Sequence, residues 1–71
     1  MNIGQAVAEL KEGRTVSRTG WNGKDMYLQL QVPDENSKMT QPYVYITPVE
    51  GCRVPWLCSQ TDLLAQDWYV T

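Results

Sequence analysis

Three tryptophans stand beside turn-forming or helix-capping polar residues: Trp21 before Asn22 and Gly23, Trp56 ahead of Ser59-Gln-Thr-Asp62, and Trp68 directly after Asp67. An indole at the boundary of an element can pack along one edge while it presents its face or its N–H. Such a face stacks well on a purine, and nearby Asn, Ser, Gln and Asp side chains can read base edges or ribose hydroxyls. Small domains also bury Trp simply for the core area it supplies. The residues alone leave both roles open.

Catalytic chemistry finds little to work with. The sequence holds no histidine, so neither a Ser–His nor a Cys–His nucleophile pair can form. Gly20 and Gly23 flank Trp21 and Asn22 and do not lead into a helix, so they are not a phosphate-cradling loop. Asp62 and Asp67 could be imagined as an acid–base pair across a short helix. The simpler reading has Asp62 capping that helix and Asp67 tying the turn after it. Cys52 and Cys58 enclose Pro55 and Trp56, a spacing unlike a zinc knuckle, and are read as two small packed thiols. No metal, cofactor or enzymatic activity is expected. Arg14, Arg18, Lys24 and Arg53 could each meet a phosphate, or could simply be solvated surface cations.

Size limits what can hold these groups in place. With 71 residues the chain makes one domain, residues 1–71. A domain this short buries only roughly 60–65% of the surface its unfolded chain exposes, and normally needs a staple. The start Met-Asn-Ile-Gly-Gln has neither a basic segment nor a long apolar run, so no secretory signal is read and a cytoplasmic location is expected. A structural disulfide is not expected there, which leaves self-association as the staple. No apolar run approaches a membrane span, and a net charge of −2 argues against binding a DNA or RNA backbone.

The elements follow from periodicity. Ile3, Ala6, Val7 and Leu10 fall on one face of a helix over residues 3–12, with Asn2 as N-cap, Lys11 near the C-terminus and Gly13 just past it. Arg14-Thr-Val-Ser-Arg18 alternates as a strand with Val16 inward and Ser17 outward. Asn22-Gly23 signals a turn. Residues 26–32 alternate Met26, Leu28 and Leu30 with Tyr27, Gln29 and Gln31, and should pair with 14–18 as a hairpin. A polar loop over Pro33 to Pro42 precedes a strand at Tyr43-Val-Tyr-Ile46. A turn at Pro48 to Gly51 precedes a strand at Gly51-Cys-Arg-Val54. Ser59 or Thr61 caps a short helix through Leu63, Leu64 and Ala65, and Trp68-Tyr-Val70 closes the chain as a strand. The fold class is α+β: a small, mostly antiparallel sheet with the N-terminal helix packed on it and a short second helix near the C-terminus. One helix covers one face of such a sheet, so the other must stay wet or find a partner.

The segments Gly20-Trp-Asn-Gly-Lys24, Met26-Tyr-Leu28, Val54-Pro-Trp56, Ser59-Gln-Thr-Asp62 and Leu64-Ala-Gln-Asp-Trp68 resemble the second Thoeris anti-defence family of phages. Ala6, Leu10, Gly13 and Arg18 fit the same pattern, so the resemblance spans nearly the whole chain. It implies a non-enzymatic sponge in the infected host's cytoplasm. Such a protein sequesters a cyclised ADP-ribose signal made by a TIR-domain immune protein, and in some relatives cyclic oligonucleotides as well. It also implies a homotetramer with pockets where protomers meet. Carried onto this chain, Trp21 and Trp56 would stack on the ligand. Asn22, Lys24, Ser59, Gln60 and Asp62 would supply polar contacts and Gly23 would let backbone approach. Trp21, Asn22 and Gly23 would come from one protomer, and the Pro55–Asp62 segment with Asp67 and Trp68 would complete the pocket from the same chain or a neighbouring one. Two departures stand out: Asp25 takes a place where a small residue, typically Gly, is expected, and the polar segment 34–41 is short.

Two other classes of function fit the composition. A protein–protein adaptor would use exposed Trp and Tyr as a patch against a host protein. A structural virion or regulatory protein would have every Trp in its core.

Overall fold

The computed structural model describes residues 1–22 and 25–71. Helix α1 spans Ile3–Lys11 and begins with a reciprocal cap: the Asn2 side chain accepts from the Gln5 backbone N–H at 2.8 Å, and the Asn2 N–H donates to Gln5 Oε1 at 2.9 Å. Gly13 ends it at φ +87°, in the left-handed region where glycine alone has no Cβ penalty, and its N–H reaches the Leu10 carbonyl at 3.0 Å. Ala6 and Leu10 are the buried positions of the helix, as the spacing predicts.

Five strands follow: β1 (Val16–Arg18), β2 (Tyr27–Gln31), β3 (Tyr43–Thr47), β4 (Val54–Pro55) and β5 (Trp68–Val70), with helix α2 (Gln60–Leu63) between the last two. They form one antiparallel sheet in the order β4-β3-β2-β1-β5, so the architecture is the expected α+β arrangement. The expected β1–β2 pairing is present, with Val16 opposite Leu28. The closing strand returns to pair with β1, setting Val16 opposite Val70, Ser17 opposite Tyr69 and Arg18 opposite Trp68.

Residues directly opposite each other in a sheet share a face. One face therefore carries Val70, Val16, Leu28, Ile46 and Val54. The core is built here from Ala6, Leu10, Val16, Leu28 and Trp68, flanked by Trp21, Leu30, Val44, Ile46 and Trp56. The opposite face carries all four tyrosines, Tyr27, Tyr43, Tyr45 and Tyr69, together with Ser17, Gln29, Gln31, Thr47 and Pro55. Ser17 turns away from the helix, as its alternation predicts. It is nevertheless buried at 3% exposure, opposite the much larger Tyr69.

The fourth strand is shorter and later than the expected Gly51–Val54. Gly51 lies at φ +85° with its N–H closing the turn onto the Pro48 carbonyl at 2.9 Å, which keeps it out of extended geometry. Pro55 instead joins the ladder opposite Tyr45, where an edge strand tolerates the missing N–H. Asp25 lies at φ +65°, the left-handed region. The residue type anticipated at that position, glycine, is the one such backbone favours, and Asp is among the few others that tolerate it.

With Leu28 fully buried between β1 and β3, Leu28→Ala is expected to cost about 3 kcal/mol by urea denaturation. Asp25→Gly should raise stability by up to about 1 kcal/mol, relief of left-handed strain outweighing the extra freedom of the unfolded chain. A lower urea midpoint for that variant would contradict the assignment of strain.

Candidate functional site

At the β1–β5 end of the sheet the three tryptophans come together. Trp68 is the pivot: 2% exposed, its indole N–H donates to the Asp62 carbonyl at 3.1 Å and its backbone N–H to the Met1 carbonyl at 3.1 Å. Trp21 and Trp56, both half-buried, meet it edge to face, with ring centroids at 5.4 and 5.9 Å and interplanar angles of 80° and 85°. The quadrupoles of aromatic rings favour this perpendicular geometry over a stacked sandwich. The Trp56 backbone N–H donates to the Val44 carbonyl at 2.9 Å, which ties that residue to β3.

Arg18 ties this cluster to the C-terminal segment. Its Nε donates to Asp67 Oδ1 at 2.7 Å and its Nη1 to Asp62 Oδ1 at 2.7 Å, while Nη2 reaches Asp67 Oδ2 at 3.4 Å. The Trp21 indole N–H donates to the same Asp62 Oδ1 at 3.0 Å. The Gly20 N–H donates to Asp67 Oδ2 at 2.8 Å. Glycine suits position 20, because a Cβ there would fall 2.9 Å from Asp67 Oδ2 and 3.0 Å from Arg18 Nη2 and would push these paired side-chain ends aside. Ser59, the N-cap of α2, accepts the Asp62 N–H at 3.1 Å and so orients the residue that receives Arg18 and Trp21.

The electrostatics follow from this wiring. Burial pushes the Asp62 carboxyl upward, but hydrogen bonds from Trp21, Arg18 and Ser59 outweigh it and hold the group below the usual carboxylate range. Asp67 is held low chiefly by Arg18, against some desolvation and with help from the Gly20 N–H. Arg18 is raised in turn by Asp67 first and Asp62 second. One guanidinium facing two carboxylates leaves one negative charge in excess.

Of the residues read as ligand-binding, Trp21, Trp56, Ser59, Asp62, Asp67 and Trp68 are thus gathered into one cluster. Asn22 and Gln60 lie on its exposed rim, while Gly23 and Lys24 lie outside the described residues. Trp68, being buried, sets the two flanking indoles. Asp62 and Asp67 have their carboxylates engaged within the fold. Arg18, read as one of four cations able to meet a phosphate, is occupied by these two acids. Its organising role shows in the sequence only as an Arg beside Gly20, since Asp62 and Asp67 come near it only through the return of β5. No group of His, Cys, Asp and Glu able to hold a metal occurs among the described residues. Cys52 and Cys58 are both free, and of the two thiols expected to pack only Cys58 is half-buried, Cys52 being exposed beside the turn at Gly51.

A concavity of about 130 Å³ lies on the tyrosine-bearing face, apart from the tryptophan cluster, and is lined by Gln31, Tyr43, Tyr45, Arg53, Val54 and Pro55. The period-two alternation of Tyr and Gln along β2 and β3 placed those side chains together. That Arg53 joins them depends on the turn before β4.

The carboxylates of the clamp give stability a pH dependence of definite sign. Both folded-state values lie below the ordinary unfolded value of about 3.9. Their contribution is therefore present in full above about pH 5 and is lost as pH falls through the folded values. Asp62→Asn should cost about 2 kcal/mol at pH 7, because it leaves a partly buried guanidinium short of a partner. The difference from the parent should shrink toward pH 3 in urea titrations. A cost independent of pH would show that the ion pair contributes nothing.

Comparison with known proteins agrees with the resemblance carried by these motifs. A family model for the Thoeris anti-defense 2-like domain, Tad2-like, matches residues 1–71. Thoeris anti-defense 2 of Bacillus phage SP01 is 35% identical over 81 residues, covering 96% of this chain and 91% of that protein. The aligned span exceeds the 71 residues of this chain, so that relative carries residues within it which this chain lacks. With the match running from end to end, the chain belongs to the Thoeris anti-defense 2-like family.

Proposed function

We propose that this protein is a phage anti-defence sponge. It binds and sequesters a cyclised ADP-ribose signal of the host's Thoeris immunity without cleaving it, and the effector that reads the signal stays off. Family membership over residues 1–71 is the observation that carries this reading. Cyclic oligonucleotides are a second ligand class of the same chemistry. The protein acts in the cytoplasm of the infected host.

The cluster geometry supports binding through stacking. Trp21 and Trp56 each pack edge to face on the buried Trp68, so their orientation is set before any ligand arrives. Preorganised aromatic faces contribute affinity because little side-chain freedom remains to be lost. Asn22, Ser59 and Gln60 supply amide and hydroxyl groups along the exposed rim, with Gly23 and Lys24 following Asn22 in sequence. Asp62, Asp67 and Trp68 act by positioning Trp21. The composition contains no histidine to serve as nucleophile partner or general base, in keeping with binding without turnover.

The binding unit is a homo-oligomer, read as four copies, with the pocket completed by a neighbour. Five buried apolar side chains are a small core for a chain of 71 residues, and both cysteines are free. Leu57 and Leu64 are 91% and 73% exposed, and a second copy would remove them from water. The same exposed leucines are what a protein–protein adaptor would use, which keeps that reading as the alternative.

Isothermal titration with cyclised ADP-ribose should show uptake, and heating the complex should release the ligand intact. Trp21→Ala should weaken binding by about tenfold to hundredfold, the usual worth of one base–aromatic stack. Trp21→Phe should retain part of the affinity. No uptake by the parent protein, or a cleaved product after heating, would overturn the sponge. A stoichiometric host protein captured in its place would favour the adaptor.

A further inference from the structure

Arg53 occupies a position the tryptophan cluster does not explain. Its guanidinium carbon lies 5.5 Å from the Tyr45 ring centroid, over the ring face, and its Nε donates to Thr47 Oγ1 at 3.3 Å. Tyr45 is itself fixed, its hydroxyl donating to Gln29 Oε1 at 2.7 Å. The ion pairs among the described residues take up Arg14 and Arg18, and none involves Arg53. A cation is thus placed over an aromatic ring and hydrogen-bonded through one edge. It sits at the wall of an open concavity with no carboxylate to neutralise it. Hydrogen bonding from Thr47, and then from Arg53, also holds the Tyr27 hydroxyl below its ordinary value, so the local field favours negative charge.

We propose that this concavity on the tyrosine-bearing face is a phosphate-recognition site, in which Arg53 contacts the phosphate and Tyr43 and Gln31 border the group attached to it. Size and charge together lead there. Ligand pockets for whole drug-sized molecules run to about 300–1,000 Å³. A concavity of about 130 Å³ accepts one compact group. Arginine suits a phosphate because its planar fork donates two parallel hydrogen bonds, and the Nε bond to Thr47 together with the Tyr45 ring beneath restricts where that fork can point. The Trp21 end is the poorer place for a phosphate, since Arg18 is occupied there and one carboxylate charge remains in excess. The two sites lie on opposite faces of the sheet. The phosphate could belong to a nucleotide or be free inorganic phosphate. Only the first of these sources rests on the sponge reading.

The test is an amide-shift titration of the isotope-labelled full chain with pyrophosphate and, separately, with ADP. Saturable shifts at Gln31, Tyr43, Tyr45, Arg53 and Val54 are expected with at least one probe. Tighter binding of ADP would identify a nucleotide as the occupant, and equal binding would identify phosphate alone. Arg53→Gln should weaken the bound probe about tenfold or more, and Arg53→Lys should recover only part, because an ammonium keeps the charge without the fork. The subunit count of both variants should match the parent's by native mass spectrometry. No shifts with either probe, or shifts confined to Trp21, Asn22 and Ser59, would overturn the proposal. Loss of cyclised ADP-ribose uptake by the parent would instead sink the sponge reading, and the pyrophosphate titration would still decide this site.

Discussion

The fold turns on one ion cluster: Arg18 at the end of β1, grasped by Asp62 from α2 and by Asp67 from the turn before β5. It fastens the stretch around α2, a helix four residues long that buries none of them, to the sheet that Trp68 and the β1–β5 pairing already anchor. The clamp is partly sheltered, with side-chain exposures of 13% for Arg18, 14% for Asp62 and 34% for Asp67. It therefore interacts more strongly than a surface pair, yet avoids the full desolvation cost of a buried one. It also spends Asp62 Oδ1 on the Trp21 N–H, so the force that closes the chain also sets the ring at the candidate site.

This economy explains why structural and functional roles are hard to separate here. Trp68 is core and supplies the surface on which Trp21 and Trp56 are set edge to face. Gly20 is a turn residue and also leaves room for Asp67 against Arg18, which a Cβ would crowd. A small domain has too few residues to keep a scaffold and a site apart. The exposed leucines 57 and 64 and the open tyrosine-bearing face are what remain for contact with other molecules.

Much of this was legible in the sequence, for physical reasons that differ by element. Helix α1 was readable because apolar spacing, an Asn N-cap and a terminal Gly agree with one another. Strand β2 is readable from strict alternation and β3 from a β-branched and aromatic run bounded by prolines, while the gathering of the tyrosines on one face follows from the register. The fourth strand was misplaced because Gly51 was credited with extended backbone, whereas it closes a turn at positive φ. Polar neighbours and family resemblance point to Trp21, Trp56, Asp62 and Trp68 as one site, but not to their meeting within a single chain, which the fold shows. The Arg18 clamp was not legible, since contacts between residues 18 and 67 arise from the β1–β5 pairing, which no local pattern encodes. Arg53 escaped for a similar reason: only the turn into β4 lays it over Tyr45.

The central claim is that the chain captures a nucleotide-derived signal whole, as an assembly of copies. Native mass spectrometry of the protein mixed with cyclised ADP-ribose tests it most directly, because one spectrum reports subunit number, ligand number and ligand mass. The account predicts an oligomer, with four copies expected, carrying ligand of unaltered mass. A monomer without ligand, or an assembly bearing a hydrolysed product, would contradict it.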